Sequence, residues 1–217
     1  ARLFGFQFDK NFNFPYAASN ITDYWARWHI SFITWIRDYI FIPLGGSRGT
    51  KFLIYRNIFI TFLFAGIWHG AAYHFVLWGI WNGIFVSLHR EYSKTRIREF
   101  FVTKGGAVYE WACRLSLVFF LGVSAIFFRA DDMKKGWEML GRMFAMSDNV
   151  SFAGSYNNSS FGVLLLICYF ASYFFSKRPL EDLVKRPVAF TFFLIANFLL
   201  LLGFGVTESQ SFIYFAF

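Results

Sequence analysis

The sequence predicts an all-α polytopic membrane protein whose helices are partly broken or re-entrant around a central cavity. Three observations carry this expectation. Of its 217 residues, 57% are hydrophobic, 24% aromatic and only 16% charged, whereas soluble domains average about 25% charged. Several apolar runs approach the roughly 20 residues that a helix needs to cross hydrocarbon. One run is interrupted at Gly66-Ile67-Trp68-His69-Gly70, and an interrupted helix survives at membrane depth only where protein or a water-filled cavity covers the freed backbone groups.

The chain opens on Ala1-Arg2-Leu3-Phe4-Gly5, with neither an initiator Met nor the charged-then-apolar layout of a signal peptide. The chain is therefore expected to begin mid-protein, as a fragment of a longer one. Asp23, Arg27, Arg37 and Asp38 then alternate with Trp25, Trp28, Ile33, Trp35 and Ile36 at helical spacing. That pattern predicts an interfacial or packed amphipathic helix, capped by the Ser19-Asn20-Ile21-Thr22-Asp23 segment and ended by Pro43-Leu44-Gly45-Gly46. A small basic loop follows at 47–51.

Residues 52–88 are apolar but divided by the Gly66–Gly70 interruption into pieces of about 13 and about 18 residues, the first too short to span unaided. Residues 111–128, 160–175 and 188–206 read as complete spans, with Asn197 the strongly polar group inside the last. The loop at 90–104 holds Arg90, Lys94, Arg96, Arg98 and Lys104, and that at 177–187 holds Lys177, Arg178, Lys185 and Arg186. Positive loops mark the cytoplasmic side, which puts the charge-balanced 129–159 loop on the other face.

The net charge of +8 does not point to nucleic acid, because the cations cluster between apolar runs and form no continuous polar face. Cys113 and Cys168 each sit inside an apolar run without CxxC spacing, as packing thiols do.

Polar groups inside apolar segments are costly, which makes them functional candidates. His69, at a glycine-flanked break beside Trp68, suits proton acceptance near neutral pH, but a histidine that only bonds a backbone carbonyl is an equal reading. His29 lies in Arg27-Trp28-His29-Ile30-Ser31, where a structural role is the stronger reading. His74 and His89 read as structural or hydrated groups. No metal site is expected, since His69 and His74 lack both i, i+4 spacing and a companion carboxylate. Gly45-Gly46-Ser47 reads as a tight turn and not as a phosphate cradle, and Ser31, Ser47 and Ser87 show no triad arrangement. Arg37 and Asp38 can pair with each other, or Arg37 can meet a phosphate. A broken helix with an internal histidine also fits a transporter, and the polar outer loop also fits a scaffold for a secreted partner.

Longer motifs add to this reading. Asn13-Phe14-Pro15-Tyr16, Asn20-Ile21-Thr22-Asp23-Tyr24-Trp25, Arg27-Trp28-His29-Ile30-Ser31, Trp35-Ile36-Arg37-Asp38-Tyr39-Ile40 and Ile42-Pro43-Leu44-Gly45-Gly46 resemble the membrane-bound O-acyltransferase family. The branch they look most like contains alginate O-acetyltransferases and the D-alanyl transfer protein of teichoic acid modification. Gly66-Ile67-Trp68-His69-Gly70, Phe127-Phe128-Arg129-Ala130 and Phe212-Ile213-Tyr214-Phe215 resemble further family segments.

The resemblance implies a multi-pass enzyme of the bacterial cytoplasmic membrane that transfers a short acyl group, acetyl in the nearest branch, to a hydroxyl; members have roughly twice this length, so residues 1–217 would be the C-terminal catalytic half of one membrane-embedded domain. His69 maps to the family's catalytic histidine and His29 to its second. Trp68, Trp28 and Asn82 would be wall groups, and Arg37 a candidate contact for the donor. The resemblance further implies a cytoplasmic acyl thioester such as acyl-CoA as co-substrate and no bound cofactor. Membrane lipid surrounds the protein, and the acceptor is an extracytoplasmic polymer or a partner transferase.

Overall fold

The computed structural model describes residue 5, residues 9–130 and 132–145, and short stretches between 169 and 195. The chain divides into two units, Ala1–Tyr173 and Phe174–Phe217. In the second unit the described residues are helical at 174, 176–177, 187–188, 191 and 195, and Thr191 Oγ1 donates to the Pro187 carbonyl (2.9 Å), one helical turn back. Most of the expected spans at 188–206 and 160–175, and the Phe212–Phe215 motif, lie outside the described residues.

The described part of the first unit is a set of helices. A 3-10 turn at Pro15–Ala17 leads into α1 (Ile21–Arg27), α2 (Ile30–Ile36) and a π-helical continuation, Arg37–Phe41. Then come α3 (Lys51–His69), α4 (Tyr73–Tyr92), α5 (Arg96–Lys104), α6 (Gly106–Arg129) and α7 (Met133–Ala145). Among the described residues there is no strand. Both α3 and α6 are long and apolar enough to cross a membrane.

Two expectations need correcting. The 52–88 region does not break before Gly66: α3 runs unbroken through it to His69, 19 residues in all, or about 28 Å. The break falls at Gly70, whose φ of 156° and ψ of 160° suit a residue without a side chain. Gly66 stays helical because its missing Cβ has another use. A methyl there would collide with the Phe75 carbonyl of α4, and one on Gly79 would lie 2.5 Å from the Phe62 carbonyl of α3. With lipid on the outside, such close backbone approach is what holds helices together.

The predicted amphipathic helix at 19–46 is likewise not continuous. Asn20 caps α1 as expected, accepting from the Asp23 N–H at 2.9 Å. The helix then stops at Trp28, and His29 adopts a left-handed conformation (φ 45°, ψ 53°) before α2 begins. The freed amides are met by an upstream segment. Ile30 N–H donates to the Asn11 carbonyl (2.9 Å), and the Ser31 N–H and Oγ both donate to Asn11 Oδ1 (3.0 Å each). Two stretches expected as loops also contain helices, α5 and α7.

Helices α3, α4 and α6 run alternately up and down. At one end Lys51 meets Glu91 (3.2 Å), Arg90 donates to Ser47 Oγ (3.2 Å) and the Tyr92 and Tyr109 hydroxyls pair (3.1 Å). At the other end His74 Nδ1 meets the Phe127 carbonyl (3.1 Å) and His69 meets Phe128. The first is the basic end, carrying the 90–104 segment. Ile21, Tyr24, Trp25, Ile36, Ala65, Trp78, Leu117, Phe120, Val123 and Phe127 fill the interior between them.

Candidate functional site

The two chain breaks meet at the end of the bundle opposite the basic segment. His69 closes α3, and its ring is met edge-on by Phe128 (4.8 Å), Trp68 (4.8 Å) and Trp78 (5.3 Å), with Phe32 and Phe75 just beyond (6.1 and 6.2 Å). His29, at the α1–α2 break, lies 5.1 Å from Phe32 and 6.4 Å from Trp68. Phe32 and Trp68 are themselves 4.3 Å apart. Both imidazoles therefore lie against one aromatic partition, the Phe32–Trp68 pair.

Neither imidazole has a hydrogen-bond partner among the described residues, and His29 Nδ1 is buried. Buried polar atoms normally find partners, and one left open is a place for a ligand or water. Trp68 is 46% exposed, so the partition is open on one side within the described part. The left-handed backbone at His29, rare for a residue with a side chain, is a second sign that this position serves something besides packing.

The remaining expected groups divide. Trp68 touches His69 (4.8 Å) and Phe32 (4.3 Å). Trp28 does not reach His69; it stacks on Tyr24 (5.7 Å) and meets Phe12 (5.0 Å), which in turn lies 6.0 Å from His29. It therefore supports the His29 wall from behind.

Asn82 is fully buried, yet its Nδ2 donates to the Trp78 carbonyl (2.8 Å) and to Ser124 Oγ (3.1 Å). It ties α4 to α6 beneath the Trp78 that touches His69 and has no described contact with either imidazole. Arg37 forms a two-pronged pair with Asp38 (2.7 and 3.1 Å), the ion-pair alternative of the sequence reading. His74 is structural, as expected. His89, read as a structural or hydrated group, shares a 2.9 Å hydrogen bond with Thr22 Oγ1 and joins α4 to α1.

Sequence reasoning missed Asn11, Phe12, Phe32, Phe75, Trp78 and Phe128. Phe128 was visible as part of the Phe127-Phe128-Arg129-Ala130 motif, and Phe32 lies one turn after His29. Nothing local announced Asn11, because its role depends on contact with residues about 20 positions away. No group of three or more His, Cys, Asp or Glu at metal-holding distance occurs among the described residues.

Comparison with known proteins supplies the family. The family model for membrane-bound O-acyltransferases (MBOAT) matches residues 2–129, a stretch containing both histidines. The "Probable alginate O-acetylase AlgI" of Azotobacter vinelandii is 40% identical over 146 residues, covering 67% of this chain and 28% of that protein. The protein of the same name from Pseudomonas aeruginosa is 31% identical over 194 residues, 86% of this chain and 36% of that one. The "Peptidoglycan O-acetyltransferase" of Helicobacter pylori is 37% identical over 146 residues, 67% and 27% respectively. The chain thus spans well under half the length of the curated relatives it matches. With the family model covering more than half of its residues, the chain belongs to the membrane-bound O-acyltransferase family.

Proposed function

We propose that this chain is the catalytic part of a membrane O-acyltransferase. It moves a short acyl group, acetyl, from a thioester donor to a hydroxyl, for modification of an extracytoplasmic polysaccharide or cell-wall polymer. The observation that carries the reading is the meeting of two unpartnered imidazoles, from two helix breaks, at the Phe32–Trp68 pair. The names of the matched relatives, alginate O-acetylase and peptidoglycan O-acetyltransferase, support the substrate class.

In this reading an imidazole nitrogen of His69 takes the proton of the acceptor hydroxyl as its oxygen attacks the thioester carbonyl. The carbon–sulfur bond breaks, and the leaving thiolate takes up that proton to leave as a thiol. His29 orients the acceptor or polarises the thioester carbonyl. The aromatic walls exclude water, which favours transfer over hydrolysis and holds the reactants at near-attack distance. The donor is an acyl-CoA or another acyl thioester arriving from the cytoplasmic side in the bacterial inner membrane. The final acceptor is reached directly or through a partner transferase outside.

The test is acetyl transfer by the purified full-length protein with a labelled thioester donor. A histidine base contributes about 10²- to 10⁴-fold, so His69→Ala is expected to lose at least about a hundredfold in kcat/KM while still inserting and folding. Undiminished transfer by well-folded His69→Ala protein would sink the assignment.

A further inference from the structure

At the basic end, away from the two histidines, a cavity of about 700 Å3 lies between the start of α1, the last turns of α4, α5 and the first half of α6. Its lining includes apolar Phe85, Leu88, Leu117 and Phe120 and polar His89, Tyr92, Arg98 and Tyr109. Such a volume suits a small organic ligand. Most of the polar lining is already engaged: His89 with Thr22 (2.9 Å), Tyr92 with Tyr109 (3.1 Å) and Glu110 with Arg114 (2.8 Å). Among the charged lining groups the exception is Arg98, whose guanidinium has no hydrogen bond or ion pair among the described residues.

Helix α5, which carries Arg98, has the make-up of a helix lying in a membrane interface. Arg96, Arg98 and Lys104 provide its charge, and Ile97, Phe100, Phe101 and Val102 are all exposed. Basic segments of this kind attract anionic headgroups. Neither His29 nor His69 lines the cavity, and His69 stands at the end of α3 opposite the basic segment.

We propose that this cavity holds one anionic phospholipid from the adjoining leaflet, its phosphate on Arg98 and one acyl chain along Phe85, Leu117 and Phe120. The lipid braces α5 against α6 and acts in neither half of the acyl transfer, so the inference stands or falls apart from the role of His69.

The experiment uses full-length protein in nanodiscs of phosphatidylcholine with a minor share of phosphatidylglycerol, released and weighed by native mass spectrometry. The wild type is expected to retain one phosphatidylglycerol. Arg98→Gln should lower that retention about tenfold through loss of a charge-assisted contact, and Ala112→Trp, which fills the cavity from α6, should lower it as well. Arg96→Gln, on the same helix but outside the cavity lining, should leave it unchanged. Equal retention in Arg98→Gln and wild type overturns the proposal, as does an equal loss in Arg96→Gln, which would assign the effect to diffuse charge. Displacement of the retained lipid by coenzyme A or inorganic phosphate also overturns it, since the site would then belong to a soluble anion.

Discussion

His29 occupies a backbone conformation that costs a residue with a Cβ about 1–3 kcal/mol, and Asn11 holds it there through Ile30 and Ser31. Glycine would relax that backbone while deleting the imidazole, which separates the two contributions. His29→Gly is expected to match or exceed His29→Ala in thermal stability, by up to about 1 kcal/mol, while both lose acyl transfer to a similar extent. If His29→Gly keeps wild-type transfer, the break matters and the ring does not. Both histidines were legible as candidates because an imidazole in an apolar run is conspicuous. The strained backbone was not, since a helical pattern reads straight through Trp28 and His29. Glu91, past the apolar part of α4, makes a second residue-scale case. Hydrogen bonds from Lys94, Tyr55 and Lys51 hold its carboxyl down at about 2, against 4.5 unperturbed. A depressed carboxyl stabilises the fold fully above 4.5, and that contribution is lost as pH falls towards 2. The wild-type unfolding temperature should therefore drop across that window, and Glu91→Gln should flatten that part of the profile. Parallel profiles for the two proteins would exclude the linkage.

At the scale of elements, the α3–α4 pair depends on what its glycines lack. A Cβ on Gly66 would meet backbone of α4 and one on Gly79 backbone of α3, and backbone cannot swing aside as a side chain can. Gly66→Ala is therefore expected to push the helices apart at a cost of about 1–3 kcal/mol and to shift His69, four residues below Ala65's turn, against Trp78. Gly122→Ala, in α6 with open space around it, should be neutral or stabilising by up to about 1 kcal/mol. Unfolding of the two variants in mixed micelles distinguishes these outcomes, and equal stabilities would contradict the close-approach account. The same glycines explain why the sequence misplaced the break. Gly66 and Gly70 look alike along the chain, and only the neighbouring helix reveals that one is a contact and the other a stop. Helices α5 and α7 were read as loops because their charge hid their apolar faces. In α7, Trp137 packs on Phe127 (5.5 Å) and Phe144 on Phe119 (6.0 Å).

At the scale of the whole molecule, the described helices separate two kinds of surface. The basic segment lies at one end, while His69, Tyr73 and Phe128 lie at the other, with about 28 Å of α3 between. Composition alone revealed the membrane class and one span, now α6, because 24 consecutive helical residues of high hydropathy leave little choice. Which end faces the cytoplasm follows from charge and not from packing. Clustered Lys and Arg favour the cytoplasmic side, which predicts an outward-facing histidine end; in the proposed reaction that is the acceptor's side, and a thioester donor would reach it along the bundle. This orientation can be tested by labelling in intact cells, with Cys113 and Cys168 replaced by alanine. Tyr73→Cys, at an 80% exposed position, is expected to react with a membrane-impermeant maleimide from outside, and Glu99→Cys, on α5, only after permeabilisation. The reverse pattern would turn the molecule over, placing the histidines towards the cytoplasm and leaving an external polymer with no direct path to them.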